Sequence, residues 1–281
     1  MKRSAFAVLT VLLIGLMPVA ANAGSSVVSV NFTGGNPGHA LAATDLAGNP
    51  DVAGSYTGNW NNAMGSSATD LALVDSANAA TSLRLSYSTD LGTWTLPSTT
   101  GGTNLSGGAN PQMMLGYLDA ADAGRVTITG LAGYFKSFQV ALFFDGDNGG
   151  NWRVAQYTIV DNATSTQLFQ ASGEDSEGVN FNAGGGDSGN ENPNGLFQIP
   201  VSDGEGNLMW PASPNNGEGN FLLSGVLSAD GITIQMAGTA GDIHRAPING
   251  FQIIGEVVPE PASLAILGLG LCGLLARRKR A

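Results

Sequence analysis

Between Gly24 and Val257, apolar and polar residues alternate in short runs rather than returning every three or four positions. In RVTITG (Arg125–Gly130), Val126 and Ile128 alternate with Thr127 and Thr129. In ITIQM (Ile232–Met236), Ile232, Ile234 and Met236 alternate with Thr233 and Gln235. Further runs are SVVSVNF (Ser26–Phe32), LRLSYS (Leu83–Ser88), FQVALFF (Phe138–Phe144), AQYTIV (Ala155–Val160), LFQIPV (Leu196–Val201), NFLLSG (Asn220–Gly225) and FQIIG (Phe251–Gly255). A two-residue period sends successive side chains to opposite faces of a strand, one buried and one solvated. No amphipathic helix of about ten residues or more interrupts the series. Roughly ten strands separated by turns predict an all-β domain, an antiparallel β-sandwich of jelly-roll type. A β-helix is the other all-β option, but it needs a fixed repeat period, and none is present. One stretch breaks the alternation: SGEDSEGVNFNAGGGDSGNENPNG (Ser172–Gly195), an acidic Gly/Asn-rich insertion expected to be a flexible loop.

Composition reinforces the turns and narrows the partners. The chain holds 41 glycines, and glycine and asparagine tolerate the positive φ that tight turns require. It carries 22 acidic against 11 basic residues. Between the two ends the basic residues are Arg84, Arg125, Lys136, Arg153 and Arg245. The middle is therefore more acidic than the whole, which excludes nucleic acid as a partner. Solubility through mutual repulsion accounts for most of this charge, and cations such as calcium are its natural counterparts. The single cysteine, Cys272, lies near the C-terminus, so the middle has neither a disulfide nor a thiol nucleophile. Two histidines, His39 and His244, leave no cluster for zinc. No nucleophile elbow or phosphate-cradling loop is present. A pair of catalytic carboxylates, as in glycosidases, stays open among so many acids.

Both ends are apolar with basic flanks. Lys2 and Arg3 precede an apolar stretch from Ala5 to Val19, and Ala21-Asn22-Ala23 supplies small residues. Residues 1–23 read as a secretory signal peptide, cut by signal peptidase between Ala23 and Gly24. At the other end, residues 258–281 read VPEPASLAILGLGLCGLLARRKRA. The apolar run Ala262–Ala276 would span about 22 Å as a helix, short of a hydrocarbon core about 30 Å thick. Pro259 and Pro261 disfavour extending it backwards. As a plain tail anchor this short hydrophobic helix is weak. The triplet Pro259-Glu260-Pro261, the Leu/Gly-rich run and the cluster Arg277, Arg278, Lys279, Arg280 together resemble the PEP-CTERM sorting signal of Gram-negative bacteria that make extracellular polysaccharide. The resemblance implies a precursor tethered in the inner membrane. It also implies recognition of the triplet by exosortase and delivery to the cell surface, outer envelope or extracellular matrix. Residues 24–257 then form the exported domain.

Two constellations could carry binding. FFDGDNGGNWR (Phe143–Arg153) places Asp145, Asp147 and Asn151 at odd positions, the first, third and seventh, as in a calcium loop. Gly149 at the fifth position and Gln156 at the twelfth depart from the EF-hand pattern, and a hairpin turn explains DGDNGG equally well. Trp60 with Asn61 and Asn62, together with Trp152, offers aromatic faces and amides suited to sugars; a place in the core is the competing expectation for each tryptophan. The segments VSVNFTGG, FFDGDNGG and HRAPINGFQIIGEV (His244–Val257) are loosely similar to carbohydrate-binding jelly rolls of the malectin and galactose-binding type. That likeness implies extracellular polysaccharide as the partner of a non-enzymatic protein. A structural or adhesive matrix protein, stabilised by calcium, is one alternative, and a polysaccharide-cleaving enzyme the other.

Overall fold

Alternating runs find their partners across two packed sheets. The computed structural model describes residues 24–50, 52–95, 112–144, 146, 153–175, 201–202, 208–209, 221–241 and 244–258. In chain order the first strands are β1 (Ser25–Phe32), β2 (Asn61–Ala63), β3 (Ser67–Val74), β4 (Ala80–Ser88), β5 (Gly92–Thr95) and β6 (Gly116–Ala120). There follow β7 (Gly124–Thr129), β8 (Phe135–Phe143), β9 (Arg153–Asp161), β10 (Gln167–Asp175), β11 (Val201–Ser202) and β12 (Leu208–Met209). The last are β13 (Phe221–Leu223), β14 (Gly231–Gly241), β15 (Ala246–Ile248) and β16 (Gly250–Val257). One sheet has the order β13-β8-β16-β1-β2, the other β10-β9-β14-β7-β4-β3. Two short sheets, β15-β6-β5 and β11-β12, accompany them.

The all-β sandwich expected from the alternation is what forms. Its core lies between the two large sheets. Val28, Val30, Phe32, Phe138, Val140, Leu142, Phe251 and Ile253 come from one side. Leu83, Leu85, Tyr87, Val126, Ile128, Tyr157, Ile159, Ile232 and Ile234 come from the other. Rings bridge the gap: Phe32 meets Tyr87 edge-on with centroids 5.2 Å apart, and Phe144 meets Tyr157 at 4.8 Å. Each such side chain, fully buried, stabilises by about 1.5–3 kcal/mol relative to exposure.

One pairing departs from the purely antiparallel expectation. β1 and β2 run parallel, Val30 opposite Asn61 and Phe32 opposite Ala63. Parallel neighbours need a crossover of about a dozen residues or more, and the long segment from Thr33 to Trp60 supplies it. That segment packs on the outer face of the five-stranded sheet, where Leu41, Ala47, Val52 and Trp60 meet Val27, Ala141, Phe143 and Ile254. Polar residues of β1 and β16 that would otherwise face water are thereby buried, and each is bonded. Gln252 donates from Nε2 to Ser29 Oγ (3.0 Å) and to the Ser55 carbonyl (2.7 Å), while the Ser55 hydroxyl donates to Gln252 Oε1. Asn31 Nδ2 donates to the His39 carbonyl (3.0 Å) and to Asn62 Oδ1 (2.9 Å). Gly48, at φ +120, is required in the cover: a Cβ there would collide with the Ser55 carbonyl.

Asp75 ties the β3–β4 turn to the rest. Its Oδ1 accepts from the N–H groups of Ala77 (2.9 Å) and Ala79 (2.8 Å), and its Oδ2 from the Tyr134 hydroxyl at 2.6 Å. Burial, then the bond to Asp75, pushes the Tyr134 phenol up to about 12. Because the folded value lies above the ordinary one near 10, this contribution is complete at neutral pH and fades as pH rises from about 10 towards 12. Tyr134→Phe is expected to cost about 1.5–3 kcal/mol, the range for a hydrogen bond to a charged group, and to remove that part of the alkaline loss. Urea titrations of both proteins at pH 7 and pH 11 check it. Equal stability at pH 7 would contradict the assignment.

Candidate functional site

Among the described residues, the six-stranded sheet packs its apolar face against the five-stranded sheet and its other face is left partly exposed. Its inward residues are apolar, so the two-residue period sends Arg84, Ser86 and Ser88 of β4 outward. It does the same for Arg125, Thr127 and Thr129 of β7. Pairing aligns these with the neighbouring strands: Ser88, Arg125, Gln235, Thr158 and Gln170 form one cross-sheet row. The next row, containing Thr127 and Thr233, satisfies itself. Their hydroxyls lie 2.9 Å apart, and Thr233 donates to Asn162 Oδ1 at 2.7 Å.

The first row behaves otherwise. Arg125, Thr158 and Gln235, with Gln156 and Asp122, line a depression of about 140 Å³ on β7, β9 and β14. Among the described residues, no hydrogen bond engages the side chains of Arg125, Gln156, Thr158 or Gln235. They leave a guanidinium, two amides and a hydroxyl facing water side by side. The volume is below the roughly 300 Å³ at which pockets begin to enclose a whole small molecule. Such a shallow, donor-rich surface can take one unit of a longer ligand lying across the sheet.

The structure places Trp60, Asn61 and Asn62 elsewhere. Trp60 is 5% exposed, packs edge-on against Phe143 at 5.9 Å, and donates from Nε1 to the Thr57 carbonyl (2.9 Å). Asn61 donates to the carbonyls of Ser29 (2.9 Å) and Val74 (2.8 Å) and accepts from Val74 N–H (2.9 Å). Asn62 accepts from Leu41 N–H and donates back to its carbonyl, each at 2.9 Å. The three residues come together, but as the seam of the cover over the five-stranded sheet, with no ring face turned outward. Trp60 thus stands among the core residues of this cover. Trp94 on β5 is the contrasting case, half exposed at 50%.

Asp145, Asp147, Asn151 and Trp152 lie outside the described residues, as do Ala21, Ala23, the triplet at 259–261 and the basic cluster 277–280. Gly24 precedes β1 directly. Ser172 to Asp175, counted above with the acidic insertion, belong to β10; residues 176–195 are not among those described. Of the two histidines, His39 is buried, with Nδ1 2.9 Å from Thr95 Oγ1 and Nε2 3.1 Å from Asn36 Nδ2. Asn36 Oδ1 accepts from Gly38 N–H, so its Nδ2 is the donor and His39 Nε2 the acceptor. Burial holds this imidazole below the usual histidine range, a hydrogen bond with the Thr33 backbone opposing it. Among the described residues, no group of three or more His, Cys, Asp or Glu is disposed to hold a metal.

β16 ends at Val257, and one residue, Val258, separates it from the Pro-Glu-Pro triplet that begins at Pro259. Residues 257–280 match the family model for the PEP-CTERM protein-sorting motif. The chain carries a PEP-CTERM sorting motif. A PEP-CTERM motif marks an exported protein handled by exosortase, with a membrane-anchored precursor sorted to the cell surface. Among the described residues no helix is long and apolar enough to cross a membrane. No curated protein and no solved structure matches the chain.

Proposed function

We propose that this PEP-CTERM protein is a non-enzymatic polysaccharide-binding protein of a Gram-negative cell surface or extracellular matrix. In this reading signal peptidase frees it at Gly24 and exosortase processes its tail. Its domain then holds extracellular polysaccharide on the outer face of the six-stranded sheet. The observation that supports binding is the set of unengaged side chains of Arg125, Gln156, Thr158 and Gln235 around one depression. Sugar hydroxyls both donate and accept, and amide, hydroxyl and guanidinium groups answer them in kind.

The purified protein, passed over a panel of immobilised bacterial and plant polysaccharides, is expected to be retained selectively. Gln156→Ala with Gln235→Ala is expected to weaken retention about tenfold, or about 1.4 kcal/mol. Retention by none of the polymers would favour a structural matrix protein instead. Release of reducing ends from a retained polymer would replace this reading with a cleaving enzyme.

A further inference from the structure

Five basic residues lie between the two ends of this acidic chain, and two of them are distinguished by what they lack. Lys136 donates to Glu256 at 2.7 Å, and Arg245 is paired with Asp119. Arg84 and Arg125 are both exposed and, among the described residues, make no hydrogen bond or ion pair. The carboxylates of Asp122, on the rim of the depression, and of Asp70, on the edge strand β3, form no ion pair with either of them. In a protein with twice as many acids as bases, two unneutralised guanidiniums on one face need an explanation.

Their placement supplies one. β4 and β7 are neighbours, with Arg84 opposite Thr129 and Arg125 opposite Ser88. The two arginines are thus offset by four residues along the strands, about 13 Å, and by one strand spacing of about 5 Å. Side chains standing roughly perpendicular to the sheet keep that separation, so the two guanidiniums are spaced for two anionic groups rather than one. Between them lie Ser86 and Thr127, a hydroxyl-bearing floor, and beyond Arg125 lies the depression with Gln235 and Thr158. An extended ligand with anionic groups at intervals meets all of these together.

We propose that the outer face of the six-stranded sheet binds an acidic polysaccharide, with Arg84 and Arg125 each receiving a carboxylate of the same chain. The guanidinium fork presents two parallel N–H donors to a carboxylate, and the intervening sugar hydroxyls fall over the Ser, Thr and Gln side chains. The net negative charge of the domain opposes any polyanion. Screening over about 8 Å at physiological ionic strength limits that repulsion, so direct contacts decide. Charge alone would not distinguish a uronate polymer from nucleic acid, whereas the amides of Gln156 and Gln235 and the hydroxyl of Thr158 beside Arg125 suit sugar hydroxyls.

This inference rests on the polysaccharide-binding reading, and its test separates the two. Binding of the purified protein is measured to polygalacturonate, to alginate, to fully methyl-esterified polygalacturonate, and to a single-stranded oligonucleotide of matched charge. The acidic polymers are expected to bind at least about tenfold more tightly than the ester. Arg84→Gln and Arg125→Gln should each remove most of that difference, with an unchanged far-ultraviolet circular dichroism spectrum. Lys136→Gln, whose cation is already paired, should leave it intact. Equal binding of acid and ester overturns the inference while leaving polysaccharide binding standing, and binding to none of the polysaccharides overturns both. Oligonucleotide binding as tight as that of polygalacturonate would overturn the choice of ligand.

Discussion

Arg245→Ala is expected to lose about 3–5 kcal/mol of stability, the range seen when one partner of a buried ion pair is removed. Thermal melting should fall by on the order of 10 °C for a domain of this size. Asp119 sits on β6 with a side chain only 2% exposed, and Arg245 covers it from the residue preceding β15 at 28%. Arg245 Nε donates to Asp119 Oδ1 at 2.9 Å, and Nη2 stands against Oδ2. Without the guanidinium the carboxylate would stay buried with no compensating charge. The pair also joins β6 to β15, whose Pro247 carbonyl accepts the Tyr157 hydroxyl. Replacing both members with apolar residues, Asp119→Leu with Arg245→Met, should recover much of the loss, since a well-packed apolar pair avoids desolvating two charges. A loss of less than about 1 kcal/mol in the single variant would mean that the pair behaves like an exposed one.

Replacing Pro259, Glu260 and Pro261 together by alanine is expected to change the fate of the protein entirely. The variant precursor should accumulate in the inner-membrane fraction with its Arg277–Arg280 end intact. Wild-type protein recovered from the surface or medium should lack that end by intact-mass analysis. Physically, the apolar run is too short and glycine-loosened to hold well as a permanent anchor, while the triplet starts one residue past Val258, where the domain has just ended. Recovery of mature wild-type protein that still carries Arg277–Arg280 would defeat this. So would normal release of the triple-alanine variant.

Much of the sandwich could be read from alternation because one sheet keeps one face in water. β7 and β14 show it plainly: Val126, Ile128, Ile232, Ile234 and Met236 are buried, and Thr127, Thr129, Thr233 and Gln235 point out. Arg125 and Gln235 were therefore legible as surface residues. Nothing in their own segments said that they would stand in one row with Thr158, because that row is made by strand pairing far along the chain. β6 escaped the same reading: in GYLDA every residue is buried, Asp119 included, so no period is visible. β2 and β5, with three and four residues, were too short to show one.

The sequence by itself determined the C-terminal sorting motif, the all-β class and the solvated face of the six-stranded sheet. Each depends on local composition or on a period of two, and neither needs a distant partner to be seen. Tertiary structure alone decided the environment of Trp60, Asn61, Asn62 and Gln252. As sequence, a tryptophan beside two asparagines suits a sugar as well as a seam. Its role follows from where the Thr33–Trp60 crossover lies, on the outer face of β1 and β16, where burial favours an internal partner for each polar side chain, and Gln252, Asn61 and Asn62 find theirs. The same physical rule singles out Arg84 and Arg125: an ion pair depends on which carboxylates the fold brings into contact, and among the described residues it brings none into contact with these two.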